Sequence, residues 1–241
     1  MILVTGANGQ LGRRIVEHLA ARLGSTEGIA VSVRDTAKAA DLAERGISVR
    51  QGDFDQPESL VQAFAGADKL VLVSTDGPRD VRIQQHRNAI AAAKAAVVAQ
   101  VLYTSFVDTR ADSPAEFAAV HRATEADLAA SGLKFTLLRN TLYAELLPVA
   151  VSPALASGVF QLPAGTGKAS FVSRDELAQA IAAAAAAPAL AKEIYELTGQ
   201  TAHDFNEVAA AVAKVSGKPI RYEQVNEDAY ADALASYGLP A

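Results

Sequence analysis

Short apolar runs rich in β-branched residues alternate along the chain with longer, alanine-rich stretches whose charged residues recur at helical spacing. The apolar runs at 2–5, 29–34, 47–51, 69–74, 100–105 and 135–139 predict strands. Several, such as Leu70-Val71-Leu72-Val73 and Thr136-Leu137-Leu138, are apolar on both faces, as in a parallel strand covered by helices on each side. Between them, stretches at 10–23, 36–45, 57–65, 80–97 and 114–130 predict helices, with Pro57 and Pro114 at first-turn positions. Six strands in one regular alternation fill 1–140 and predict an α/β domain with a doubly wound parallel sheet.

Beyond Asn140 the rhythm loosens around Pro148, Pro153 and Pro163. A helix is expected at 174–187, opened by the capping-box form Ser173-Arg174-Asp175-Glu176 and closed before Pro188. A short strand at 193–198 and helices at 205–216 and 227–237 complete a smaller α/β lobe, 141–241, expected to pack on the sheet domain as the substrate lobe.

Composition narrows the chemistry. The 241 residues carry 22 Lys+Arg against 27 Asp+Glu, a net charge of −5, with no cysteine. Disulfides, thiolate nucleophiles and thiolate metal sites are thereby removed, and a cytoplasmic location is expected. Without a basic cluster the chain lacks the footprint of a nucleic-acid binder. The uncharged stretch at 177–191 is 15 residues and broken by Pro188, short of the roughly 20 that span a bilayer. No charged leader precedes an apolar run, so neither a targeting segment nor a membrane anchor is expected.

The first strand runs straight into Gly6-Ala7-Asn8-Gly9-Gln10-Leu11-Gly12 and then a helix, the context of a dinucleotide site and hence of a Rossmann-type fold. Gly6 suits the tight turn, Gly9 the approach of a pyrophosphate and Gly12 close helix packing. Asn8, Gln10 and Leu11 complete the loop, and the helix N-terminus offers open N–H groups to the anion. After the second strand stand Arg34 and Asp35, with Lys38 one turn on. Arginine pairs with a 2′-phosphate and an acid with a 2′-hydroxyl, so NADPH is favoured and NADH is the alternative. Asp53 and Phe54 follow the third strand and border the adenine by topology. Ser74 and Thr75 follow the fourth and border the central ribose.

The string TGANGQLG, with VRDTAKA, VRQGDFDQPESL, KLVLVS, QQHRNAIAAAK, LYTS, and FTLLRN followed by Tyr143, resembles the NmrA-like, atypical branch of the short-chain dehydrogenase/reductase superfamily. Within it the likeness is to the bacterial NAD(P)H:quinone oxidoreductase type 2 and triphenylmethane reductase group, and it extends through GVFQLPAGTGKASFVSRDELA, YELTG and SGKPIRYEQVNEDAYADAL. The resemblance implies NADPH at the glycine loop and hydride delivery to a quinone-like acceptor. Three departures stand out. Asp35 replaces an asparagine, and Val97-Val98 replaces a Gly-Val whose glycine ends a helix in the left-handed conformation. The chain also stops at Gly238-Leu239-Pro240-Ala241, where relatives run on for several tens of residues, so either a further segment follows or the lobe is abbreviated.

The Tyr-x-x-x-Lys pair of better known superfamily members is missing. The residues four after each tyrosine are Val107, Leu147, Gly199, Asn226, Leu234 and Ala241. A quinone tolerates this loss, because it accepts hydride readily and leaves protonation to solvent, so that positioning carries the rate. Candidates at the strand ends are Ser105, beside the cofactor, and Asn140 and Tyr143, with His86 and His121 on the flanking helices. Asn140 is expected to hold a quinone oxygen or the nicotinamide amide, Tyr143 to wall the pocket, His121 to touch the nicotinamide ribose and His86 to act as a proton donor. The four histidines share no ligand spacing, so no metal is expected. Gly165-Thr166-Gly167-Lys168 lacks the flanking residues of a phosphate loop, with Leu162 and Ala169 in their places. The oligomeric state is left open, and a dinucleotide-binding redox regulator without turnover is the alternative to an enzyme.

Overall fold

The computed structural model describes residues 1–113 and 115–236. The Pro114 start and Tyr237 end expected for two helices lie outside the described residues. In chain order the elements are β1 (Ile2–Thr5), α1 (Gln10–Leu23), β2 (Ile29–Val33), α2 (Ala40–Glu44), β3 (Ser48–Gln51), α3 (Pro57–Phe64), β4 (Lys69–Leu72), α4 (Arg79–Ala95), β5 (Gln100–Phe106), α5 (Ala118–Ser131) and β6 (Phe135–Asn140). They continue with α6 (Leu147–Val151), α7 (Ala154–Ser157), β7 (Val159–Leu162), β8 (Lys168–Ala169), α8 (Arg174–Ala186), β9 (Ile194–Leu197), β10 (His203–Asp204), α9 (Phe205–Ser216), β11 (Arg221–Gln224) and α10 (Glu227–Ser236).

Two compact units result. The first, Met1–Thr141 with Arg174–Leu197, is built on a seven-stranded sheet of order β3-β2-β1-β4-β5-β6-β9. Every pairing in it is parallel. Strand order reverses between β1 and β4, and right-handed crossovers then place helices on both faces. In agreement, α1 packs with α8 while α3, α4 and α5 pack in succession. Leu3, Phe64, Leu70, Leu72 and Tyr103 lie fully buried between sheet and helices. In open α/β sheets ligands bind outside the carboxyl ends of the strands at such a reversal, here the ends of β1 and β4.

The second unit, Leu142–Ser173 with the described residues from Thr198, pairs β7 with β11 in parallel and β8 with β10 antiparallel. Its core gathers Val151, Ala154, Phe160, Val208 and Ala209, with Phe171, Phe205 and Tyr222 packed against them. α9 begins with a capping box in which Asp204 and Glu207 satisfy each other's backbone N–H groups.

Three expectations are corrected. The single boundary after Asn140 is replaced by a discontinuous first unit, because α8 and β9 return to the sheet. β9 pairs with β6 as the seventh strand, His18 Nε2 meets Asp175 Oδ1 at 2.7 Å, and Lys69 Nζ donates to the carbonyls of Ala185 and Ala187 at the α8 C-terminus. β4 ends at Leu72, two residues early, since threonine side chains replace the ladder: the N–H groups of Val73 and Ser74 donate to Thr5 Oγ1 and Thr104 Oγ1, each at 2.9 Å. The helix expected at 36–45 is a 3₁₀ turn, Thr36–Ala39, followed by α2. No helix among the described residues is long and apolar enough to cross a membrane.

Candidate functional site

The glycine turn lies where β1 feeds α1. Gly6 has φ +66° and donates its N–H to the Ser32 carbonyl at 3.1 Å, and Gly9 closes the turn onto the Gly6 carbonyl at 2.9 Å. A methyl group at Gly12 would overlap the Gly6 carbonyl oxygen, so only glycine fits where helix meets turn. Gly9 caps α1 with no side-chain hydrogen bond and no acid stands in the first turn, which leaves that helix end open to an anion. Asn8 and Gln10 are exposed and Leu11 is buried. Asn8 Nδ2 donates to the Asp35 carbonyl at 2.8 Å, tying the turn to the end of β2.

At that end the two opposed charges have separate fates. The Asp35 carboxylate accepts the Ala37 N–H at 3.1 Å and lies 3.8 Å from Lys38 Nζ, so it caps its own 3₁₀ turn. Arg34 is exposed and has no ion-pair partner among the described residues. Beyond β3, Asp53 Oδ1 accepts the Asp55 N–H at 3.0 Å, and Phe54 packs on the core while its carbonyl accepts from Asn88 Nδ2 at 2.8 Å.

The end of β4 is held by a buried network. His86 is fully buried; its Nε2 accepts the Thr75 N–H at 3.1 Å and lies 3.2 Å from Thr75 Oγ1 and 3.5 Å from Ser74 Oγ. A backbone amide can only donate, so Nδ1 carries the proton and gives it to Thr124 Oγ1 at 2.8 Å; Thr124 passes its own to the Val120 carbonyl. Tyr103 Oη shares a 2.9 Å hydrogen bond with His121 Nδ1. Burial first, then the charge of Arg82, pushes both imidazoles down to about 3, and burial raises the Tyr103 phenol. The structure places His86, expected as a proton donor, as a buried strut of the Ser74–Thr75 segment, with its Nδ1–H directed at Thr124.

On the next strand Ser105 donates to Glu125 Oε1 at 2.6 Å. Glu125 in turn takes a two-pronged pair from Arg139, Nε to Oε1 at 2.9 Å and Nη2 to Oε2 at 2.7 Å, so the Ser105 proton is committed to an ion cluster. At the end of β6, Asn140 is 3% exposed, and neither its Oδ1 nor its Nδ2 has a partner among the described residues. Buried amides are nearly always paired, which marks Asn140 as a candidate site residue. Tyr143 falls in the second unit, where it bridges to Val172. Sequence reasoning missed Arg82, Thr124, Glu125 and Arg139; the spacing of Arg82 and His86, one helical turn apart, was the available signal for the first. Among the described residues no cluster of acids and histidines could hold a metal.

The NmrA-like family model matches residues 1–240. The chain belongs to that family. Over 240 residues it is 40% identical to quinone oxidoreductase 2 of Escherichia coli strain K12, covering 100% of this chain and 83% of the relative. Among solved structures it resembles an NADPH-dependent quinone oxidoreductase from Escherichia coli complexed with NADPH, with TM-score 0.94, 40% identity, and 100% and 84% of the two chains covered. It also resembles the Citrobacter sp. triphenylmethane reductase complexed with NADP(H), with TM-score 0.92, 34% identity, and 100% and 84% covered.

Proposed function

We propose that this protein is a cytoplasmic NADPH-dependent reductase that delivers hydride to a quinone or a similarly conjugated acceptor, without a Tyr-x-x-x-Lys pair. The observation that carries the cofactor is the uncapped α1 N-terminus over a turn with no room for a side chain at Gly12. In this reading the backbone of Gly6, Gly9, Gln10, Leu11 and Gly12 holds the pyrophosphate, with Asn8 fixing the turn. Arg34 and Lys38 meet the 2′-phosphate. Because the Asp35 carboxylate is turned onto its own 3₁₀ turn, repulsion there is reduced and NADPH is preferred over NADH. Asp53 and Phe54 border the adenine, Ser74 and Thr75 the central ribose, and His121 the nicotinamide ribose, with Ser105 beside the cofactor.

When bound, the cofactor supplies a hydride, an electron pair with its proton. The chain's own residues orient the acceptor and leave the second proton to water. Asn140 fits either the nicotinamide amide or an acceptor oxygen, since its amide has both a donor and an acceptor to offer. The full-length likeness to enzymes named for quinones and triphenylmethane dyes supports the acceptor class. The test is steady-state NADPH oxidation against benzoquinones and naphthoquinones, with NADH in parallel and cofactor affinity measured separately. Saturable, quinone-dependent turnover is expected; firm binding without turnover on any acceptor would instead favour a dinucleotide-sensing regulator.

A further inference from the structure

Arg82, in the first turn of α4, is a half-buried cation without a counter-ion. Its Nη2 donates to Ser74 Oγ at 3.0 Å, and its Nε is buried with no acceptor. No carboxylate lies within ion-pair distance among the described residues. Arg13, Arg87 and Arg139 in the same unit each meet one, at Asp41, Asp127 and Glu125, and the partly buried Arg50, which meets none, is satisfied by the Ala63 and Ala65 carbonyls, whereas the buried Nε of Arg82 has no acceptor of any kind among the described residues. The groups its charge does reach are neutral: His86, His121 and Tyr103 all feel it, and it opposes protonation of the two imidazoles. Interiors rarely keep a cation this way, because charges removed from water are paired. A partner from outside the chain is indicated.

Topology says which partner. The cofactor's phosphates, in the reading above, lie at the glycine turn after β1 and at Arg34 after β2. Arg82 is anchored to Ser74 past the end of β4, on the opposite side of β1 from β2. That side continues to β5 and β6, where Asn140 also stands unpaired. We propose that Arg82 is the anion-binding residue of the acceptor subsite: its guanidinium binds the acceptor oxygen that bears negative charge, whether present beforehand or gained with the hydride. The inference rests on the reductase reading for its chemistry, and on Arg82 itself for the anion. Hydride adds two electrons and one proton to a neutral quinone, which leaves a hydroquinone monoanion that water then protonates. Arginine never deprotonates near neutrality, so Arg82 holds that oxyanion and donates no proton to it.

The test is equilibrium titration of the NADP⁺-loaded protein with 2-hydroxy-1,4-naphthoquinone, an anion at neutral pH, and with the neutral 2-methyl-1,4-naphthoquinone. The same titrations are made on Arg82→Met and Arg82→Lys. The native protein is expected to bind the anion about tenfold more tightly than the neutral quinone, with Arg82→Met abolishing that preference and Arg82→Lys retaining part of it. NADPH affinity should stay within about twofold in both variants, while turnover of the neutral quinone by Arg82→Met falls about 100-fold. An anion preference undiminished in Arg82→Met would overturn the proposal. So would a tenfold loss of NADPH affinity in both variants, which would give Arg82 to the cofactor's phosphates. Should Arg82→Met not fold, Arg82→Lys decides alone, since an unaltered preference there contradicts a role for the guanidinium fork. Anion preference without turnover by the native protein would leave the subsite standing and refute the reductase.

Discussion

Val97 holds φ +56° at the end of α4 and is 83% exposed, so its branched side chain gains no burial in return for a left-handed backbone. It is the one non-glycine residue with positive φ among those described. The conformation costs a residue with a Cβ roughly 1–2 kcal/mol, and glycine gives back part of this through its freer unfolded chain. Val97→Gly should therefore raise stability by about 0.5–1 kcal/mol, read as a higher urea midpoint with unchanged slope. This strain was legible in the sequence, because a valine stood where the helix stop calls for glycine. Arg34→Ala should weaken NADPH by roughly 10- to 100-fold while leaving NADH nearly unaffected, measured as two dissociation constants. Equal losses would remove Arg34 from the 2′-phosphate. The separation of Arg34 from Asp35 was not legible, since it depends on a 3₁₀ turn in which the Ala37 N–H captures the acid.

At the scale of elements, the alternation of strands and helices through β6 was readable because strands covered on both faces must be apolar throughout. Where β4 stops was not, because Thr5 and Thr104 take its last amides and come from neighbouring strands far off in sequence. The β1–α1 junction tolerates no side chain at Gly12, which the glycine spacing did announce. Gly12→Ala should displace α1 from the turn and lower NADPH affinity at least about tenfold. Fluorescence titration with NADPH checks this, and unchanged affinity would detach the cofactor from the turn. The short ladders of the second unit, β8 with β10 above all, carry too few residues for a hydrophobic period to be seen.

At the scale of the whole molecule, the first unit is closed by a segment that leaves and returns. Local pattern reports that residues 174–197 hold a helix and a strand, but not which sheet edge the strand joins. The buried histidines carry a molecule-wide consequence. Unfolded, each titrates near 6.5, and folded, near 3, so the unfolded chain binds more protons across that window. Stability is full above pH 6.5 and falls as pH drops, by up to about 1.4 kcal/mol per pH unit for each histidine. Urea midpoints should be level between pH 8 and 7 and decline from pH 6 to 5; imidazole resonances of His86 or His121 titrating near pH 6.5 would contradict it. The most direct test of hydride transfer is a single anaerobic turnover, with the NADPH-loaded protein mixed with one equivalent of a naphthoquinone. Loss of the 340 nm absorbance of one NADPH per hydroquinone formed is the expected result. NADPH that stays bound and unoxidised across a series of quinones would show that the site holds the dinucleotide without using it.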